Sequence, residues 1–203
     1  MPISAANLFD ALNLRCAGSV PWGGSVPEKC SGVYFVSLSE RVDDNDGSMA
    51  TAPICREAVT KWIASVTSMR LDGSTPTVDA LIECLQGFWL PDECIVYIGK
   101  STSLRERLGQ FVRHRLGERR PHAGGHWLKT LSCLDRLKVY FAICDSAADA
   151  EAHEYAALRT FVAQVSNATR NVLANPQLPI PFANREHPRG TRKQRRISHD
   201  ILG

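Results

Sequence analysis

No run of apolar residues in this 203-residue chain approaches the ~18–20 that a helix needs to cross a bilayer. The opening stretch, MPISAANLFDALNLRC, lacks the basic n-region and long apolar core of a signal peptide. The seven cysteines (16, 30, 55, 84, 94, 133 and 144) are odd in number and scattered, and none stands in a CxxC pair. These absences argue against a membrane span, a secretion leader and a thiol-cradled zinc. They predict reduced, mostly buried thiols in a cytoplasmic protein. There is no internal repeat either, so the architecture is not a solenoid.

Basic residues are scarce in the first half. Residues 1–93 carry six Lys/Arg against twelve Asp/Glu, a balance of −6, and residues 94–203 carry eighteen against nine, a balance of +9. A basic half predicts a polyanionic partner. From charge alone, two solvated faces of opposite sign account for it equally well. At 44% hydrophobic, the chain can bury a core as one domain with a small appended lobe.

The periodicities predict an N-terminal helix over 3–14 and a Gly/Pro/Ser-rich connector over 18–31, followed by a strand, VYFVSL, at 33–38. An acidic loop follows, then helices over 53–68 and 76–89 separated by a turn at Asp72-Gly73. The strand CIVYI starts at Cys94. A helix then begins with Ser103 three residues before Glu106, the spacing of a capping box. Residues 116–126 read as a basic, Gly-rich loop, 127–134 as a short helix and LKVYFAI (137–143) as a third strand. Ser146 and Asp149 repeat the capping spacing ahead of a helix over about 149–166. Glu154 falls on its apolar face with Leu158 and Phe161, an odd place for a carboxylate with no task. The tail beyond 184, with six arginines and lysines, is expected to stay disordered until bound.

The run VYIGKSTSLRERL holds Tyr97, Ile98 and Gly99, with Arg107 ten residues after the Tyr, and Gly32-Val33-Tyr34 stands on the earlier strand. If the two strands pair, two phenols and a guanidinium meet. That combination suits a phosphodiester. Hydrolysis needs a group to activate water, a cation for the phosphoryl oxygens and help for the leaving oxygen. Arg binds phosphate as a bidentate fork, and a divalent metal on a carboxylate serves the charge and the leaving group. A tyrosine, whose free pKa is ~10, is an unusual base, and nearby cations are expected to favour its phenolate.

GVY on one strand, YIG on the next, Arg107 on the following helix, Glu154 on a later one and the closing PFAN (181–184) together resemble the GIY-YIG nuclease family. The likeness covers roughly residues 31–38 and 94–184, and PHAGGHWLKTL further resembles stand-alone bacterial members. The resemblance implies an α+β fold in which a small three-stranded antiparallel sheet is flanked by helices. It also implies a DNA endonuclease using Mg²⁺ or Mn²⁺. On that footing Tyr34 is the general base, Tyr97 positions water or phosphate, Arg107 binds phosphate, Glu154 holds the metal and Asn184 closes the site. Gly32 and Gly99 are the structural turn positions. Lys100, Arg105, Arg113, Arg119, Arg120 and His122 are the expected DNA contacts. The implied organisation is an N-terminal segment (1–30), a nuclease domain (31–184) interrupted by a helical insertion (39–93), and a basic tail (185–203).

Two departures from the family pattern bear on this reading. The position one turn after the Arg, often His or Tyr, is Phe111, which cannot carry a proton; His114 or His122 is the expected substitute. The insertion 39–93 carries ten acids against four bases, so it is expected to be structural, a surface for a protein partner, or a device that keeps DNA on one face. A non-catalytic nucleic-acid-binding module on the same fold is the alternative function. A homodimer is left open, since cutting both strands with one site per chain would call for one.

Overall fold

The central element of the molecule is a strand buried along its whole length. In the computed structural model, which describes residues 2–118, 125–187, 191–193 and 196–199, this strand, β2, spans Gly32–Ser37 and every residue of it is buried. The reason is two-sided packing. Alternate side chains enter two separate cores: Tyr34 and Val36 face one, Val33 and Phe35 the other. A β-branched and aromatic strand with no polar face fits only such a position.

β2 pairs antiparallel with β4 (Ile95–Ser101) on one side and β5 (Lys138–Ile143) on the other. A fourth strand, β1 (Gly18–Pro21), adds to β5, giving the order β1-β5-β2-β4. The fold is therefore α+β, but its sheet has four strands rather than three. The stretch expected to be connector supplies the extra one. Its sequence, GSVP, has a single β-branched residue and ends in Pro. Such a segment is tolerated at a sheet edge, where only one side needs hydrogen bonds.

On one face lie α1 (Ala5–Ala11), capped by Ser4, and α6 (Ala147–Gln164), whose Ala157, Leu158 and Phe161 pack with Phe9, Val33 and Phe35. The capping pair forms at α6: the Asp149 N–H donates to Ser146 Oγ at 3.0 Å. It does not form at α4 (Leu104–Arg113). There the Ser103 hydroxyl is buried with no partner among the described residues, and the Ser103 N–H donates instead to Ser101 Oγ at 2.9 Å.

The inserted segment covers the opposite face. It holds α2 (Arg56–Ser65), a short strand β3 (Met69–Leu71) and α3 (Val78–Gln86), with Asp72 and Gly73 turning the chain at positive φ as expected. Val59, Trp62, Leu81 and Leu85 share a core with Tyr34, Leu104, Phe111 and Phe182. The insertion thus supplies apolar side chains to the core on this face of the sheet.

The short helices α5 (Gly125–Leu128) and α7 (Asn167–Val172) and a 3-10 turn (Leu134–Arg136) complete the helical set of the described residues. The tail contains β6 (Glu186–His187), β7 (Thr191–Arg192) and β8 (Ile197–His199), and β8 pairs antiparallel with β3. Where it is described, then, the basic tail is docked, against the expectation of disorder. Ile197 is buried, Arg196 pairs with Asp72, and the buried Lys193 ammonium donates to Pro181 O at 2.8 Å and Phe182 O at 2.9 Å. Asp72 and β3 lie more than a hundred residues away in sequence, so charge density alone does not reveal the docking. All seven cysteines are free thiols, and among the described residues no helix is long and apolar enough to cross a membrane.

Candidate functional site

The β2–β4 register sets Tyr34 opposite Gly99. The Tyr34 and Tyr97 rings lie 5.9 Å apart, tilted toward one another. Gly99 makes this approach feasible. A Cβ there would sit 2.6 Å from Tyr97 Cε1 and 2.8 Å from the Tyr34 hydroxyl, closer than real Cβ contacts come. Gly32 is required for packing, since a Cβ would stand 2.3 Å from Ala142 O.

Arg107, on α4, and Glu154, on α6, reach the same locus, where both act electrostatically on the two phenols. Burial drives the Tyr34 phenol well above its ordinary range, with the Tyr97 phenol adding to this and Arg107 opposing it. Burial, then Glu154, pushes Tyr97 up to about 12, again against Arg107. The expected phenolate is thus disfavoured in the protein by itself: loss of hydration outweighs the cation. Tyr34 is fully buried and its hydroxyl interacts with the Tyr97 phenol, whereas Tyr97 keeps partial access to solvent.

Glu154 is pushed up to about 7, chiefly by burial and further by Glu151, while Lys100 and Arg107 pull the other way. Lys100 is held by an ion pair with Glu151 at 2.8 Å, one helical turn before Glu154. Glu151 was not singled out in the sequence; its spacing from Glu154 on one helix face was the available signal.

Phe111 takes the position where a proton carrier was sought. Its buried ring meets Tyr97 at 5.0 Å, Tyr34 at 6.5 Å and Trp22 at 5.2 Å. His114 lies a turn further on, buried, with its Nε2 3.0 Å from Nε2 of His126. His126 in turn stacks on Trp62 of the insertion. So Phe111 contacts both tyrosines, and His114 belongs to a histidine pair behind it.

Asn184 grips a strand. Its Oδ1 accepts from the Ile98 N–H at 2.9 Å and its amide donates to Ile98 O at 2.8 Å, so the side chain acts as a fifth strand along the free edge of β4. It is a positioning residue for the YIG segment. Arg105, expected at DNA, hydrogen-bonds Val26 O at 3.2 Å and Pro27 O. Arg113 is exposed at the end of α4, while Arg119, Arg120 and His122 lie outside the described residues.

Comparison with protein-family models, with curated proteins and with solved structures finds no match. The reading of the site therefore rests on its chemistry.

Proposed function

We propose that this chain is a metal-dependent DNA endonuclease with a GIY-YIG-like core. The observation that carries the reading is the Tyr34–Tyr97 pair, 5.9 Å apart across β2 and β4, on which Arg107 of α4 and Glu154 of α6 both act electrostatically. No group of three His, Cys, Asp or Glu gathers among the described residues, so the donor set is not that of a protein-only metal cage. A lone half-buried carboxylate fits Mg²⁺ or Mn²⁺, which take one or two carboxylates and complete their shell with water and phosphate oxygens. Bound on Glu154, such an ion would supply charge to the departing 3′ oxygen and offset the carboxylate's upward push on both phenols.

The chain's own groups do the rest. Arg107 holds the phosphoryl oxygens through its fork and stays charged throughout. Tyr97, the accessible phenol, orients the attacking water. Tyr34 stands behind it as the proton acceptor, a role that requires it first to lose its own proton to solvent; Arg107 and a cation on Glu154 would favour that loss against the burial that opposes it. Gly99 leaves room for both rings, and Asn184 keeps the strand in place. The apolar wall made by Phe111 lowers the local dielectric and strengthens the Arg107–phosphate attraction.

Plasmid nicking in Mg²⁺ by the wild type and by Glu154→Ala tests the proposal. Loss of nicking in the variant is expected, and equal nicking by both would sink the assignment. A second reading, a nucleic-acid-binding module without turnover, is favoured by Phe111 and by the burial of Tyr34. Salt-sensitive DNA binding with no metal-dependent cleavage on plasmid, flap, bubble or single-stranded substrates would select it.

A further inference from the structure

A cavity of about 410 Å³ opens between α2 of the insertion and the C-terminal end of α4. Its volume lies within the range of about 300–1,000 Å³ that ligand clefts in general span. Ala58, Leu116 and Leu134 contribute apolar surface to it, and Lys61, Arg113 and Arg115 add cations. Lys129 is a fourth cation, though its ammonium already donates to Val112 O at 2.6 Å. Glu57 is the one carboxylate among the lining residues, and it accepts from the Cys55 thiol at 3.2 Å. Glu118, nearby, takes the Arg115 backbone N–H at 2.8 Å.

The way the insertion's bases are paired makes this grouping unusual. Arg41 pairs with Asp43 and Asp44, Arg56 pairs with Asp79, and Arg70 donates to the carbonyls of Thr67 and Met69. Lys61 has no acidic partner among the described residues, and neither do Arg113 and Arg115 across the groove from it. Proximity to a helix C-terminus accounts for a cation at Arg113. It does not account for Lys61, which lies before the last turn of its helix and stands in a segment where acids outnumber bases ten to four. Lys61, Arg113 and Arg115 all border this groove, and an anion seated in it would be attracted by each of them.

We infer that this groove is a second phosphate-binding subsite, which takes the backbone of the DNA strand away from the reacting phosphate. The inference rests on the nucleic-acid reading proposed above. Arg113 is six residues beyond Arg107, a rise of ~9 Å along the helix and about 240° around its axis, so the groove serves a stretch of backbone on a different side of α4 from the reacting phosphate. The insertion, acidic overall, thus contributes Lys61 to this side, with Glu57 as its one carboxylate at the groove.

The test is binding of a fluorescein-labelled DNA duplex to the full-length protein in EDTA, over a range of salt, by fluorescence anisotropy. The proteins compared are the wild type, Lys61→Glu, Arg115→Glu, the double variant, and Arg15→Glu as an equal charge change outside the groove. All three substitutions fall on exposed side chains, and a thermal melt checks that each variant is folded. Each groove variant is expected to bind more weakly and to lower the slope of log K against log salt by ~0.9, the loss of one phosphate contact, with the double variant losing about twice that. The Arg15→Glu slope should match the wild type. Groove variants that share the slope of Arg15→Glu, with the wild type binding normally, would overturn the subsite alone. A wild type that neither binds nor nicks DNA would overturn the nuclease reading as well.

Discussion

Asn184 holds the Ile98 peptide unit from both sides, accepting from its N–H at 2.9 Å and donating to its carbonyl at 2.8 Å. Both groups are buried at the free edge of β4, where the neighbouring Ala183 N–H also bonds Val96 O at 2.9 Å. Replacing Asn184 by Ala leaves a buried donor and a buried acceptor unpaired, at about 1–3 kcal/mol for each. Asn184→Ala should therefore lower stability by roughly 2–6 kcal/mol, read as a lower urea midpoint. Asn184→Asp should recover part of it at acid pH, where the protonated carboxyl can again donate to Ile98 O. A variant as stable as the wild type would show that the clamp is dispensable.

Gly99→Ala tests the other support of the YIG segment. The added methyl would overlap Tyr97 Cε1 and the Tyr34 hydroxyl, so one ring must leave its place. Overpacking of this kind costs about 1–3 kcal/mol. The loss in nicking rate should exceed the loss in stability, on the order of a hundredfold, because misplacing a catalytic group by about 1 Å is enough for that. A stable variant with unchanged turnover would separate the tyrosine pair from the chemistry.

The parts of this architecture visible in the sequence were those with local signatures. β2 and β5 announce themselves by β-branched and aromatic runs, α6 by its Ser146 cap, and the Tyr–Gly–Arg spacing by short-range pattern. β1 was hidden because an edge strand needs no hydrophobic run, and the docked tail because its partners lie more than a hundred residues away at β3. The raised pKa values of both tyrosines were hidden for a related reason: the apolar cover is assembled from the insertion's helices, α4 and the segment before Asn184, and the helical periodicity of the insertion did not show which strands it would cover. The His114–His126 contact joins residues on either side of a Gly-rich loop, a separation with no periodic signal.

The tail supports the same strand through Lys193. Its ammonium donates to two carbonyls in the segment just before Asn184 and lies 5.3 Å from the Trp127 ring centre and 5.7 Å from that of Phe88. Lys193→Met keeps the aliphatic stem and removes the donors. It should destabilise the protein by about 2–3 kcal/mol in urea unfolding, since hydrogen bonds from a charged donor contribute more than neutral ones. Hydrogen exchange at Ile98 should accelerate with it, because Asn184 is anchored through Pro181 and Phe182. Unchanged exchange at Ile98 would confine the role of Lys193 to the tail.

Glu154→Gln connects the site to pH. The folded-state pKa of Glu154, about 7, lies above the ~4.3 of an unfolded glutamate. The folded protein therefore holds this proton more tightly than the unfolded chain does, and ionisation works against folding. The penalty is absent below the unfolded value, grows as pH rises toward about 7 and is complete above it. Gln, neutral at every pH, avoids it. Glu154→Gln should melt higher than wild type at about pH 8, by on the order of 2 kcal/mol, with the difference shrinking toward about pH 5. Glu93, also pushed to about 7 by burial, titrates in both proteins and drops out of the comparison. Mg²⁺ competes with the same proton, so added Mg²⁺ should raise the wild-type melting temperature at about pH 8, much less at about pH 5, and not at all in Glu154→Gln. Nicking should climb through the same interval. A melting difference that stays constant with pH, together with an equal response of both proteins to Mg²⁺, would remove Glu154 from the metal site.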